Sequence, residues 1–160
     1  MKWLVRTVLW LLLLALLGAG ILAWLYVRQA TPRTQGDMAL PGAAAELRIE
    51  RDAHGIPTIR AASVRDVMYG LGVVHAQDRL WQLETHKRIG SGRMAQAFGD
   101  AALESDKFLR ALGVKRAAER RWAQTKGEAR EVIEAYTAGV NDVISQQTKA
   151  TLGFQGLTGQ

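Results

Sequence analysis

The sequence predicts an α+β protein with an apolar N-terminal helix, one β-hairpin and, after it, mainly helices. Three patterns predict this arrangement. A long run without charge opens the chain, polar and apolar residues alternate around residues 46–61, and apolar residues recur at helical spacing from residue 63 onward. With 160 residues, the chain has room for one small folded domain beside the apolar segment.

The apolar segment is long enough to cross a bilayer. Lys2 and Arg6 precede the uncharged run Thr7–Val27, whose 21 residues would cover about 30 Å as a helix. A cleaved signal peptide usually has an apolar stretch of only about 7–15 residues and then a small-x-small exit. The only such step, Gly18-Ala19-Gly20, is followed by more apolar residues. We therefore expect residues 1–28 to be a transmembrane anchor or a signal segment, with the uncleaved anchor preferred and residues 7–27 in the lipid bilayer.

The charges that flank the apolar segment give only a weak indication of its orientation in the membrane. Lys2 and Arg6 on one side of the segment are matched by Arg28 and Arg33 on the other, so the positive-inside signal is nearly balanced. A short basic N-terminus favours export of the chain beyond the apolar segment. The expected location is the inner (cytoplasmic) membrane, with the folded part facing the periplasm or exterior.

The net charge of +6 does not predict a nucleic-acid partner. Beyond residue 30 the chain holds 18 basic and 15 acidic residues, and the two signs are interleaved, as on a solvated helix surface. The chain has no cysteine, which excludes disulfides, thiol nucleophiles and thiolate metal sites within it.

Residues 29–45 are rich in Thr, Pro, Gly and Ala and predict a linker. Glu46–Arg51 and Ile56–Ala61 predict two strands joined by a turn at Asp52–Gly55. Because Pro57 has no amide hydrogen, its strand should begin there or lie at an edge.

Four helices are predicted after the hairpin. The first is capped by Ser63 in an S-x-x-D pattern and runs to about Lys87, and the small Gly70 and Gly72 would let another element approach it closely. A short helix at 92–98 and a helix at 106–125 follow, the latter with a buried face of Phe108, Leu109, Leu112, Ala117 and Trp122. A last helix spans 127–147 and an irregular tail 148–160, which leaves 46–147 as the folded domain.

Three blocks of residues carry a family resemblance. They are Arg51–Ile59, then His75–Glu84 with Arg88 and Gly92-Arg93-Met94-Ala95, then Ala135–Asn141. In this order they resemble the penicillin amidase (penicillin acylase) family of N-terminal nucleophile hydrolases. The matching residues, which we expect to be structural, are Arg51, Asp52, Gly55, Pro57, Gln77, Asp78, Arg79, Gln82, Arg88, Gly92, Arg93, Tyr136, Gly139 and Asn141.

The resemblance implies the N-terminal part of an α chain, an incomplete part of the family's four-layer αββα sandwich. The nucleophile would be an N-terminal Ser on a missing β chain, and the reaction would be hydrolysis of linear amides such as acylated β-lactams or N-acyl homoserine lactones. The partners would be the rest of the α chain and the β chain. This chain is expected to hold no catalytic residue, cofactor or metal and to be inactive alone, and the calcium ligands of the full-length enzyme would lie elsewhere.

Simpler structural interpretations are preferred for individual residues. Arg51-Asp52 is expected to fix the turn and Ser91 to link or cap helices. Gln77-Asp78-Arg79 is expected to lie in the interior or at a subunit seam and to anchor α-chain helices to β-chain sheets. The three histidines lack metal-ligand spacing. Gln96 replaces the family's Glu and is expected to weaken an ion pair with a neighbouring arginine.

Two alternatives stay open at this level. The chain could be a membrane-anchored, non-catalytic helical remnant or binding module. It could also assemble with a separately encoded remainder of the enzyme.

Overall fold

The computed structural model describes residues 2–150, without the side chains of residues 29, 30 and 147–150. The described chain contains two antiparallel strands and six α-helices, with one 3-10 turn at Gly99–Ala102. The elements are α1 Lys2–Ala30, β1 Arg48–Arg51, β2 Pro57–Arg60, α2 Val64–Ser91, α3 Ala95–Phe98, α4 Leu103–Leu112, α5 Val114–Gln124 and α6 Glu128–Ala150. The predicted mixture of one hairpin and mainly helices is confirmed. The chain divides into two units between Arg33 and Thr34, and each is described by itself.

The first unit is α1. An 18-residue stretch within its segment Lys2–Arg28 has a mean hydropathy of 2.5 and no buried residue, so by length and composition the segment could cross a membrane or serve as a signal sequence. The side chain of Arg28 lies over the ring of Trp24, 5.1 Å from its centroid. Such a cation–π contact suits an aromatic ring near the end of an apolar helix.

The predicted hairpin forms within the second unit, from the four-residue strands β1 and β2. Arg48 pairs with Arg60 and Arg51 with Pro57, so β2 begins at the proline that cannot donate to the ladder. Gly55 closes the turn with a φ of 78°, and its amide donates to the carbonyl of Asp52 at 2.9 Å.

Helix α2 begins as predicted and ends later. Ser63 accepts a hydrogen bond from the amide of Asp66, and Gly92 ends the helix in the left-handed conformation, four residues beyond Arg88. The helix is kinked at Arg79, whose φ of −139° and ψ of 25° are not helical. The kink comes directly after Asp78, at the level of the hairpin.

The core lies where α2 crosses α6. Its buried side chains are Tyr69, Val73, Ala76, Ala135 and Val143. Gly72 and Gly139 make the crossing close, because a Cβ on Gly72 would collide with the carbonyl of Tyr136 and one on Gly139 with the carbonyl of Tyr69. The predicted close approach at Gly72 is confirmed, and Gly70 plays the same part against the side chain of Ile59.

Part of the predicted linker is packed. Leu40 and Ala43 lie against the core, and the amides of Gly42 and Ala44 donate to carboxylates on α6 and α2. The composition of residues 29–45 resembles a linker because backbone groups, which have no sequence signature, make most of these contacts.

The prediction of one helix over 106–125 is wrong. The chain forms α4 and α5, separated at Gly113 with a φ of 73°. The predicted buried face is also wrong at several positions, since Phe108 is 63% and Leu112 61% exposed, and Trp122 is exposed as well. Helix α6 begins one residue after the predicted start and runs to Ala150, while the rest of the predicted tail lies outside the described residues.

Candidate functional site

The side chains of Arg51, Gln77 and Asp78 form a polar cluster, called here the signature cluster, that joins the hairpin to α2. The Arg51 Nη1 atom lies 2.8 Å from Asp78 Oδ2, and Nη2 lies 3.0 Å from Oδ1. Arg51 Nη2 also donates to Gln77 Oε1 at 3.1 Å. The two ends of the bidentate pair come from residues 27 positions apart, so the pair fixes tertiary structure.

The neighbouring turn is fixed by Asp52. Its Oδ1 atom accepts hydrogen bonds from the amides of His54 and Ile56, both at 2.8 Å. Arg51 adds a hydrogen bond from Nη1 to the carbonyl of Gly55 at 3.2 Å. The expected turn-fixing pair is thus found, with Arg51 also reaching α2. Aspartate side chains commonly stabilise turns in this way.

Arg79, Gln82 and Arg88, from the second of the three sequence blocks, contact side chains close to them in sequence. Arg79, at the kink, donates from Nη1 to Gln82 Oε1 at 3.0 Å. Arg88 is 8% exposed and pairs through Nε with Glu84 at 2.8 Å. Arg88 Nη1 also donates to Gln96 Oε1 at 3.2 Å. Arg88 is therefore the arginine beside position 96, and Gln96 accepts its hydrogen bond as a neutral side chain.

Ser91 is engaged at the end of α2. Its hydroxyl lies 2.6 Å from the carbonyl of Lys87 and 3.3 Å from that of Arg88, and it accepts from Arg93 Nε at 3.1 Å. The amide of Gly92 donates back to α2. Ser91 ends a helix, as expected, and its hydrogen is committed to backbone oxygen.

A buried carboxylate beside this segment was missed by the sequence reasoning. Asp106 is 3% exposed, and its two oxygens accept the amides of Met94 and Ala95, each at 2.8 Å. The sequence pattern placed Asp106 only at the start of a helix. The available signal was a carboxylate in the first turn of α4, close in sequence to the uncapped start of α3.

The third block lies on α6. His75 Nδ1 and the hydroxyl of Tyr136 are 3.0 Å apart, and their rings meet edge to face with centroids 5.7 Å apart. Burial raises the pKa of Tyr136. Gly139 makes the helix crossing described above, and Asn141 is exposed. The sequence analysis did not foresee the His75–Tyr136 pair.

Two further carboxylates hold the packed segment 39–45. Asp142 Oδ2 accepts from the Tyr69 hydroxyl at 2.6 Å and from the amide of Gly42 at 3.0 Å. Asp66 is 2% exposed and accepts from the amide of Ala44 at 2.9 Å and from the Ser63 hydroxyl at 2.8 Å. The contacts of both carboxylates with the segment 39–45 were missed, because the partner there is in each case a backbone amide distant in sequence.

These contacts lower the pKa of Asp66 and raise the pKa of Tyr69. The hydrogen bond from the Ala44 amide, with that from Ser63, holds the pKa of Asp66 below its usual value. Burial, together with the hydrogen bond to Asp142 and the charge of that group, raises the pKa of Tyr69. Tyr69 therefore stays a neutral donor and Asp66 an ionised acceptor at neutral pH.

The described residues assemble no metal centre. Within residues 2–150 no three histidine, aspartate or glutamate side chains are grouped to hold a metal ion. A cleft of about 860 Å³ lies between the packed segment and the hairpin, and Arg51, Tyr69 and Gln77 are among its lining residues. Arg51 and Gln77 are also engaged in the signature cluster, so the arrangement holds elements together.

Comparison with known families decides the classification. A family model described as penicillin amidase matches residues 46–159. The chain belongs to the penicillin amidase family. This confirms the resemblance carried by the three sequence blocks.

Individual relatives of this penicillin amidase family member are acylases. The chain is 37% identical over 133 residues to penicillin acylase 2 proenzyme of Pseudomonas sp. (strain SE83), an alignment that covers 83% of this chain and 17% of that protein. It is 37% identical over 129 residues to acyl-homoserine lactone acylase QuiP of Pseudomonas aeruginosa, with coverages of 79% and 15%. The chain therefore spans only a small part of the length of these relatives.

A solved structure supports the fold. Thermostable penicillin G acylase from Alcaligenes faecalis superposes with a TM-score of 0.61 at 25% identity, over 72% of this chain and 63% of that chain. The superposition places the hairpin and helices of this family member in the architecture of an acylase.

Proposed function

We propose that this chain is the N-terminal structural part of an amidohydrolase that cleaves linear amides, of the N-acylated β-lactam or N-acyl homoserine lactone type. The observation that carries the proposal is the penicillin amidase match over residues 46–159, with relatives that are penicillin and acyl-homoserine lactone acylases. In the proposed mechanism an N-terminal Ser on a β chain attacks the amide carbonyl and forms an acyl-enzyme that water releases.

The role proposed for this chain is to hold elements in place. Its signature residues contact one another: Arg51 binds Asp78, and Gly139 brings α6 against α2. Two serine hydroxyls that could be mistaken for a nucleophile are already hydrogen-bonded. The hydroxyl of Ser63 donates to Asp66, and the hydroxyl of Ser91 donates to backbone carbonyls. The chain by itself is therefore proposed to be inactive.

Exposed apolar side chains and open strand edges support the proposal that further polypeptide packs against this chain. Within residues 2–150 each strand of the hairpin is paired on one side only, and a two-stranded sheet is marginal alone in water. Large apolar side chains outside α1 are exposed, among them Trp81, Phe108 and Leu112. We propose that the remaining α-chain residues and a β chain cover them. Calcium, if the full enzyme binds it, would use ligands in those parts.

A chimera tests the structural role. Residues 46–147 of this chain would replace the aligned segment of the Pseudomonas penicillin acylase 2 proenzyme, and self-processing and hydrolysis of acyl amides would be measured. Processing into two chains with retained hydrolysis is expected. A matched chimera carrying Gly139→Leu should fail, because the side chain blocks the α2–α6 crossing. If the unmodified chimera is soluble but neither processes nor hydrolyses, the proposal is wrong.

The isolated chain supplies a second test. Purified in a neutral detergent, it is expected to leave phenylacetyl and long-acyl amides uncleaved. Cleavage above background would refute the assignment of the nucleophile to another chain. Failure of the chimera together with a stable, cooperatively unfolding isolated chain would instead favour a non-catalytic binding module.

We also propose that α1 anchors the protein in the inner membrane, with the second unit outside the cytoplasm. The length and hydropathy of Lys2–Arg28 support this. The mass of the chain recovered from membranes separates an anchor from a signal peptide, because cleavage would remove α1. Protease accessibility of the second unit in spheroplasts, but not in intact inverted vesicles, is the expected orientation.

A further inference from the structure

A pocket of about 310 Å³ lies where the end of α2 meets α4 and α5. Its lining contains four cationic side chains and no acidic one. The cationic residues are Arg93, Arg110, Lys115 and Arg116, and the other lining residues are Gly90, Ser91, Leu109 and Gly113. Four positive charges around so small a volume repel one another unless an anion lies between them.

The arginines keep donor atoms available. Arg110 uses Nε to bind the carbonyl of Gly92 at 2.8 Å, and Arg93 uses Nε to bind Ser91 Oγ at 3.1 Å. Among the described residues, no hydrogen bond or ion pair engages the terminal nitrogens of Arg93, Arg110 or Arg116. These contacts hold two guanidinium groups in place while their terminal N–H groups remain free to bind.

The nearby carboxylates do not neutralise the pocket. Asp106 directs both oxygens to backbone amides, and Glu119 reaches only Lys115, at 3.6 Å between exposed side chains. Such exposed pairs contribute little. The lining therefore keeps a net positive charge, which Asp106 and Glu119 offset in part.

The backbone contributes partial charges of both signs, because the pocket lies at the start of α5 and at the C-terminal ends of α2 and α4. Helix α5 begins at Val114, directly after Gly113, and has no side-chain cap. Its first amides are therefore without intrahelical acceptors and carry the positive end of the helix dipole. The guanidinium of Arg116 lies beside Gly113, because a Cβ there would be 2.8 Å from an Arg116 terminal nitrogen.

We propose that this pocket binds a phosphate group, carried either by a free phosphoanion or by the headgroup of an anionic phospholipid. Guanidinium groups bind phosphate oxygens in pairs, which a chloride or a single carboxylate does not match as well. The volume admits a phosphate and a small organic substituent. This site is separate from the signature cluster and does not depend on the proposed hydrolase activity.

The test uses the full chain in a neutral detergent, titrated with inorganic phosphate at ionic strength held constant by chloride. Arginine side-chain NMR signals report the occupancy. A second arm places the chain in nanodiscs of phosphatidylcholine alone and of phosphatidylcholine with phosphatidylglycerol. Saturable shifts at Arg110 and Arg116 with phosphate alone identify a free phosphoanion, and shifts with phosphatidylglycerol alone identify a headgroup. Shifts in both arms support the shared chemistry.

Variants on α5 distinguish binding in the pocket from a general effect of positive charge. Arg116→Gln should weaken binding about tenfold, the loss of one charge-assisted contact. Arg120→Gln, which removes the same charge from α5 outside the lining, should change it less than about twofold. Arg116→Lys keeps the charge and loses the paired N–H donors, so its affinity should lie between those of the native chain and Arg116→Gln, a graded order that misfolding would not produce. Absence of saturable shifts in both arms, or equal losses in Arg116→Gln and Arg120→Gln, would overturn the proposal.

Discussion

The guanidinium of Arg51 and the carboxylate of Asp78 face each other in a bidentate contact, with N–O distances of 2.8 and 3.0 Å. The contact joins the last residue of β1 to the residue before the kink in α2. Their side chains are 19% and 32% exposed, so the pair is less screened than a surface pair. It is the main polar connection between the hairpin and the helix that carries the core.

Removing the charge of Asp78 should loosen the hairpin. Asp78→Asn is expected to lower the free energy of unfolding by about 1–3 kcal/mol, since a charge-assisted bidentate contact is lost. Urea denaturation followed by circular dichroism, in a mild detergent that keeps α1 in solution, measures this. The control is Glu50→Gln, whose partners Arg48 and Arg60 are exposed, and its cost should stay below about 1 kcal/mol. Equal costs would contradict the role given to Asp78.

Two glycines of α2 should respond to alanine with opposite signs. Gly72→Ala places a Cβ against the Tyr136 carbonyl, and the overpacking should cost about 1–3 kcal/mol even after the gain in helix propensity. Gly90 has open space around its Cβ position, so Gly90→Ala should stabilise by about 0.5–1 kcal/mol. Thermal unfolding of the two variants checks the signs. A neutral Gly72→Ala would mean that α2 and α6 are farther apart than described.

Stability should fall in acid through Asp66. Its pKa is lower in the folded chain than the ordinary value of 3.8, so the folded state favours the ionised form. This contribution is complete well above pH 4 and is lost as the pH falls through the ordinary and then the folded pKa. The free energy of unfolding, measured over a pH series, should therefore decrease as the pH falls below about 4 in the native chain. It should decrease less steeply in Asp66→Asn. Parallel slopes would contradict the assignment.

Restoring the family's glutamate at position 96 should strengthen a contact already in place. Arg88 Nη1 donates to Gln96 Oε1 at 3.2 Å, and Gln96→Glu would make that hydrogen bond charge-assisted. The gain should be below about 1 kcal/mol, because Arg88 already pairs with Glu84. Chemical denaturation of Gln96→Glu and of the double variant with Glu84→Gln measures it. A larger gain is expected when Glu84 is neutralised, since Arg88 has then lost its ion pair with Glu84.

Local patterns in the sequence predicted most of the elements. The alternation around residues 46–61, the Pro57 start and the Asp52 turn are governed by neighbours within a few residues, and the hairpin formed as expected. The same holds for the Ser63 cap. The single helix expected at 106–125 is interrupted because Gly113 adopts a left-handed conformation that ends α4. Its apolar side chains were assigned to a core that this part of the chain does not build.

The sequence by itself determined the family, the apolar N-terminal helix, the hairpin and the final helix, because these depend on residue type and short-range periodicity. Only the tertiary structure decided that Arg51 binds Asp78, that Gly72 and Gly139 bring two helices together, and that Asp66 and Asp142 hold the segment before the hairpin. Only the packing of α2, α4 and α5 collected four cations around one pocket. These contacts join groups far apart in the chain, many of them backbone amides and carbonyls that every residue carries, so no local pattern marks them.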